Sequence, residues 1–208
     1  MNPNNKFIIT INRELGSGGR TVGRKLAEKL GVEYYDKVVI KALQERYNLS
    51  AEEIERLKGQ ETGWWAEFKR KMTFSDSDYD LNQTGIETED VFRAETEILK
   101  ALAKDNPCVI AGRTAFYMFR DHPNHLNILI QASMLCRMAR VAREQNMSKE
   151  EARMVIEKVD NMRENYVREF TGTSRYDTRN YQLVISMDEL TEDEAVNIIM
   201  EYIRASHK

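Results

Sequence analysis

Three features of the sequence predict an α/β fold built on a parallel sheet. Five short apolar and β-branched runs, FIITI (7–11), VEYY (32–35), CVIAG (108–112), LNILIQ (126–131) and YQLVIS (181–186), read as strands buried on both faces. The stretches between them repeat apolar residues at helical spacing. Strand and helix thus alternate, which is the pattern of parallel strands joined by right-handed crossovers.

Each element has a local reason. FIITI runs into a glycine cluster and then into VGRKLAEKL (22–30), giving strand, loop and helix in turn. Ser50 with Glu53, Ser148 with Glu151, and Thr191 with Glu194 are capping boxes, in which hydroxyl and carboxylate satisfy each other's free amides. Residues 148–170 read as one long helix crowded with charge at its end, leading into the turn-rich, arginine-bearing loop TGTSRYDTRN (171–180). From 59 to 88 the composition changes to glycines, the pair Trp64 and Trp65, a basic patch at Lys69, Arg70 and Lys71, and the acidic stretch SDSDYDLNQTG (75–85). A long connection of this kind predicts a mobile inserted subdomain, assigned to residues 48–90 of a single domain spanning 1–208. No internal repeat is present.

Composition narrows the class. The 208 residues are about 1.4 times the usual domain length, which suits one domain with an insertion. Apolar residues make up 41% and charged residues 31%, the balance of a globular protein rather than a disordered, collagenous or disulfide-scaffold chain. Lys and Arg number 31 against 34 Asp and Glu, so the net charge of −3 provides no global field for nucleic acid or an anionic membrane. No apolar run approaches the roughly 20 residues of a membrane span, and the start MNPNNK is unlike a signal peptide, so a cytoplasmic protein is expected. Cys108 and Cys136 sit in apolar sequence without metal spacing and read as packed thiols. His122, His125 and His207 show no ligand spacing and receive no role, Trp64 and Trp65 read as packing or a dimer contact, and Met134, Met138 and Met147 as helix packing.

The chemistry-bearing segment is Arg13-Glu14-Leu15-Gly16-Ser17-Gly18-Gly19-Arg20-Thr21, between the first strand and first helix. Glycines let successive amides curl around an anion and the helix start adds partial positive charge, so Gly16, Ser17, Gly18, Gly19, Arg20 and Thr21 are candidates to cradle a polyphosphate. The match to G-x-x-x-x-G-K-[ST] is partial, with Glu14 at the first glycine and Arg20 at the lysine. Arg20 suits phosphate oxygens and the Thr21 hydroxyl suits magnesium; the alternative is a glycine turn serving only tight packing. Asp36 follows the second strand, where it would hold a magnesium-bound water, orient an acceptor, or cap a helix from Lys37. Arg113 follows the third strand as a phosphate fork or as a surface arginine opening a helix. Arg163, Arg168, Arg175 and Arg179, with Asp160, Tyr166, Tyr176 and Asp177 among them, would close over transferring phosphates or form a solvated charged face.

Taken together, ITINRELGSGGRTVGRKLAEKLG (9–31), YYDK (34–37), CVIAGRTAFYMFRDHPNHLNILIQAS (108–133) and VDNMRENYVREFTG (159–172) resemble the cytidylate kinase-like family of P-loop nucleoside monophosphate kinases, in order from about residue 7 to 190. The resemblance implies a three-layer P-loop NTPase fold, with a five-stranded parallel sheet in the order 2-3-1-4-5. It also implies a helical nucleotide-monophosphate-binding insertion and a lid, here residues 158–180. It implies ATP and Mg2+ as cofactors, with Gly16 to Thr21 on the donor phosphates. Thr21 and Asp36 would then attend the metal, Asp36, Lys37 and Arg113 the acceptor, and Arg20, Asp36, Arg113, Arg163 and Arg168 the transfer itself. The expected partner is a small nucleotide, CMP or dCMP first, with neither nucleic acid nor membrane. Where cytidylate kinases resemble AGRD this chain has Ala111-Gly112-Arg113-Thr114. A kinase of another small molecule, or a nucleotide-binding regulatory module without transferase activity, is the alternative.

Overall fold

The five apolar runs become five parallel strands. In the computed structural model, which describes residues 1–2, 5–36, 41–42, 45–46, 48, 88–112 and 114–206, they are β1 (Ile8–Arg13), β2 (Glu33–Tyr35), β3 (Cys108–Ala111), β4 (His125–Gln131) and β5 (Leu183–Ser186). Their order is β2-β3-β1-β4-β5. Central β1 pairs Ile9 with Val109 on one side and with Leu126 on the other. The described helices are α1 (Gly19–Leu30), α2 (Thr88–Leu102), α3 (Ala115–Met118), α4 (Met134–Gln145), α5 (Lys149–Thr171) and α6 (Glu192–Ala205).

The chain divides into two compact units, Met1–Asp36 with Leu99–Lys208, and Lys37–Ile98. The sheet and the site belong to the first. Most of the second, including Ser50, Trp64, Trp65 and the basic patch, lies outside the described residues, as do Lys37 and Arg113.

Alternation along β1 and β4 gives the sheet two unlike faces. Ile9, Ile11, Leu126, Ile128 and Ile130 pack with Val22 and Leu26 of α1 and Val196, Ile199 and Ile203 of α6 in a dry core. The other face carries the polar side chains of Thr10, Asn12 and Asn127, all buried, with Leu129 packed on Phe116, Val167 and Tyr181. Burying hydroxyls and amides is tolerable only when they are paired. Accordingly Thr10 Oγ1 donates to Asn127 Oδ1 (2.7 Å) and lies 2.7 Å from His125 Nε2, while Asn127 Nδ2 donates to the Asn180 carbonyl (2.5 Å).

The capping boxes at Ser148 and Thr191 open α5 and α6 with both reciprocal bonds present. α5 ends at Gly172, whose amide bonds the Arg168 carbonyl at 2.9 Å. Three expectations are corrected. β1 runs on to Arg13 because Asn12 and Arg13 continue the ladder with Leu129 and Ile130. β5 starts only at Leu183, two residues later than YQLVIS suggests. Cys136 is exposed on α4, whereas Cys108 is buried in β3. Among the described residues no helix is long and apolar enough to cross a membrane.

Candidate active site

The carboxyl end of β1 leads through residues 14–18 into α1, so the glycine turn sits at the helix N-terminus, where unpaired amides and the helix dipole favour an anion. Gly16 and Gly18 hold φ of +79° and +83°. At Gly16 the adjoining backbone also demands glycine, whereas at Gly18 the positive φ alone does, since the side-chain end that faces it can move. A Cβ on Gly16 would stand 2.9 Å from the Arg137 carbonyl oxygen and from Val141 Cγ2, and one on Gly18 would stand 2.5 Å from Arg140 Nη1. Ser17 Oγ donates to the Glu14 carbonyl at 2.9 Å, and the Ser17 amide bonds the same carbonyl at 3.3 Å. The amides of Gly16, Gly18 and Arg20 find no acceptor among the described residues.

On the β2 side Asp36 is nearly buried and binds two arginines. Its Oδ1 accepts from Arg13 Nη2 at 3.0 Å and its Oδ2 pairs with Arg20 Nε at 2.8 Å. Arg20 is the more exposed partner, its side chain 57% accessible. Tyr34 closes this edge: its hydroxyl donates to the Arg20 carbonyl (3.3 Å), and burial pushes its pKa up to about 12, keeping it protonated.

Beneath the loop lies a second cluster, in which Asp160, Arg163 and Arg175 of the arginine-dense segment meet Arg137, a residue the sequence did not single out. Arg137 of α4, 5% exposed, donates from Nε to the Leu15 carbonyl (2.8 Å), meets Glu14 Oε1 (3.3 Å), and bonds the Asp160 carboxylate through Nη2. Asp160 of α5 also accepts the Leu15 amide (3.2 Å) and lies 3.7 Å from both Arg163 Nη1 and Arg175 Nη1. Arg175, 1% exposed, donates from Nη2 to Asn12 Oδ1 (3.2 Å) and to the Arg13 carbonyl. The Tyr181 hydroxyl accepts from Asn12 Nδ2 (2.5 Å) and donates to the Arg175 carbonyl (2.6 Å); burial pushes its pKa up to about 12. Glu14, at the position of the motif's first glycine, therefore turns away from the turn. Its neutraliser is Arg137, and its Oε2 accepts the Ala132 amide at 3.1 Å.

Six guanidinium groups (Arg13, Arg20, Arg137, Arg140, Arg163, Arg175) here face four carboxylates (Glu14, Asp36, Asp160, Glu192) among the described residues. The surplus is positive, as a polyanion requires. Of the residues singled out from sequence, Gly16 to Thr21 and Asp36 come together. Arg163 reaches the buried cluster, and Arg168 pairs with Glu164 at 2.5 Å on an exposed part of α5. Arg179 pairs with Asp177 in the open. Both Asp36 oxygens face arginines, so in this arrangement it positions guanidinium groups rather than a metal. Among the described residues no three His, Cys, Asp or Glu converge as metal ligands. That leaves the Thr21 hydroxyl, which suits Mg2+, an ion that keeps several waters and takes phosphate oxygens besides.

The sequence profile of the cytidylate kinase-like family matches residues 8–189. The chain belongs to that family. Cytidylate kinase of Pyrococcus horikoshii is 26% identical over 199 residues, spanning 95% of this chain and 88% of the relative. Cytidylate kinase of Methanopyrus kandleri is 26% identical over 201 residues, spanning 92% and 90%. Among solved structures, an uncharacterized protein from Eubacterium ventriosum matches with TM-score 0.68 at 23% identity over 96% of this chain and 99% of its own. Shikimate kinase from Acinetobacter baumannii in complex with shikimate matches with TM-score 0.51 at 20% identity over 97% and 95%. These structural likenesses establish the fold alone, a parallel α/β architecture, here with the sheet order β2-β3-β1-β4-β5.

Proposed function

We propose that this phosphotransferase moves the γ-phosphoryl group of ATP to a nucleoside monophosphate in the cytoplasm, with CMP or dCMP the first acceptors to try. The observation that carries this reading is the turn between β1 and α1, where three amides without described acceptors point to an anion amid surplus arginine charge. Phosphoryl transfer depends on positioning and charge neutralisation more than on a strong base, and this site consists of amides, guanidinium groups and one flanking carboxylate. Gly16 to Thr21 bind the donor phosphates. Mg2+, held through the Thr21 hydroxyl, supplies charge neutralisation when bound. Asp36 holds Arg20 at the edge of the turn, Lys37 and Arg113 meet the acceptor, and Arg163 and Arg168 offset charge on the group in transfer.

The test is ADP release from ATP·Mg2+ across a panel of nucleoside monophosphates and small hydroxyl compounds, shikimate included. CMP or dCMP should be turned over fastest. Arg20→Ala should lose orders of magnitude in turnover with the fold intact, and near-wild-type turnover would remove Arg20 from the mechanism. One observation favours a second reading, a nucleotide-binding module without transfer: Arg20 is already engaged by Asp36. Tight ATP binding without ADP release on the whole panel would select it.

A further inference from the structure

Among the described residues Arg175 is the largest fully buried side chain, 1% exposed. A cation in that setting is costly unless paired and hydrogen-bonded. Its pairing is incomplete. Nη2 is used by Asn12 and the Arg13 carbonyl, whereas Nε and Nη1 have no hydrogen-bond partner among the described residues. Among the described residues the carboxylate paired with its guanidinium is Asp160, which stands 3.7 Å away, beyond hydrogen-bond reach, and is already engaged by Arg137 and by the Leu15 amide; Glu164 accepts the Arg175 backbone amide (3.0 Å) instead. The Tyr176 ring, with its centroid 5.3 Å from the guanidinium carbon, gives a further weak attraction. The fold thus keeps an under-compensated positive charge where β1 enters the glycine turn.

Such a charge makes sense if its counter-charge arrives with the ligand. We infer that Arg175 is a positioning residue whose buried charge is balanced by the donor polyphosphate, so that nucleotide binding and the toleration of Arg175 are energetically linked. It acts through the field at the turn and through the Arg13 carbonyl it holds, without touching the phosphates. In low-dielectric surroundings a full charge is felt over several ångströms, and linkage is reciprocal: what the cation contributes to phosphate binding, the phosphate returns as stability. The inference rests on the reading of the turn as a donor-phosphate site, and its test separates the two.

The variants are Arg175→Met, which keeps length and removes charge, and Arg175→Lys, which keeps charge and removes the planar fork. Thermal unfolding and calorimetric titration are run with ATP·Mg2+ and, separately, with inorganic tripolyphosphate. Without ligand R175M should melt close to wild type, because relief of an uncompensated charge offsets the two hydrogen bonds lost at Asn12 and the Arg13 carbonyl. Its affinity for both ligands should fall by at least about fivefold, the lower end of ordinary coupling between sites. R175K should retain affinity within about threefold, less than that coupling. An R175M protein that is unfolded, or that is destabilised yet binds both ligands like wild type, overturns the inference, since Arg175 is then a structural strut. Wild-type protein that takes up tripolyphosphate but not ATP refutes the nucleotide reading and leaves the charge linkage standing; uptake of neither refutes both.

Discussion

Substituting Arg137 by Met isolates what the cluster under the loop contributes. In the native protein this side chain is the counter-charge of Glu14 (3.3 Å) and of Asp160, and the donor to the Leu15 carbonyl (2.8 Å). Its side chain is 6% accessible and that of Asp160 9%, so little water is available to replace it. Breaking a buried pair by removing one partner costs about 3–5 kcal/mol, because the remaining charge stays buried. In a chain of 208 residues each kcal/mol lowers Tm by about 2–4 °C, so R137M should melt about 6–20 °C below wild type. Circular dichroism melts and guanidinium titrations measure this directly. A double-mutant cycle with Asp160→Asn should show a coupling of about 0.5–3 kcal/mol, the double variant losing less than the sum. Melting of R137M within about 3 °C of wild type, a change of only about 1 kcal/mol, would refute the claim that this cation holds the loop.

Asp36→Asn leaves Arg13 and Arg20 without their shared carboxylate; turnover should fall at least tenfold, and because Arg13 is mostly buried Tm should fall as well, though less than in R137M since Arg20 is exposed, read by ADP release and thermal melts. His125 gives an acid limb: burial first, then the neighbouring His122 charge, pulls its pKa down to about 4 from 6.5. Between those values the unfolded chain binds more protons than the folded one, so stability is present above pH 6.5 and is lost as pH falls toward 4, by about 3 kcal/mol in all. Urea titrations over that range should show the loss, and His125→Gln should flatten it. Tyr181→Phe deprives Asn12 of an acceptor and the Arg175 carbonyl of a donor, both buried, and should cost about 1–3 kcal/mol in chemical denaturation.

The strands were legible because a run such as CVIA, buried on both faces, has to be apolar throughout. Capping boxes were legible because they are local: hydroxyl and carboxylate lie three residues apart at Ser148 and Thr191. The glycine turn was legible for the same reason. The place of Arg137 was not, since it lies on α4, far in sequence from Asp160 on α5 and Arg175 in the loop after α5, and meets them only once these elements pack against β1. One signal existed. Met134, Arg137, Met138 and Val141 share a helical stripe, and an arginine inside an otherwise apolar stripe must have a buried partner. Glu14 could not be paired from sequence either: Arg13 and Arg20 are its near neighbours, but both turn to Asp36, and its partner is Arg137 of α4. Apolarity also ended β1 too early, because Asn12 and Arg13 continue it through backbone pairing with β4, to which side-chain polarity is indifferent.

α5 runs unbroken for 23 residues from its cap at Ser148 to Gly172. Asp160, gripping the Leu15 amide, and Arg168, on the exposed stretch, therefore belong to one stiff rod, about 12 Å apart along its axis at 1.5 Å per residue. With no proline or glycine between them to act as a hinge, a swing that brings Arg168 inward must also tug on Leu15, or else come from rotation of the arginine side chain alone. The outer arginine and the floor of the anion cup are, mechanically, two ends of a single lever.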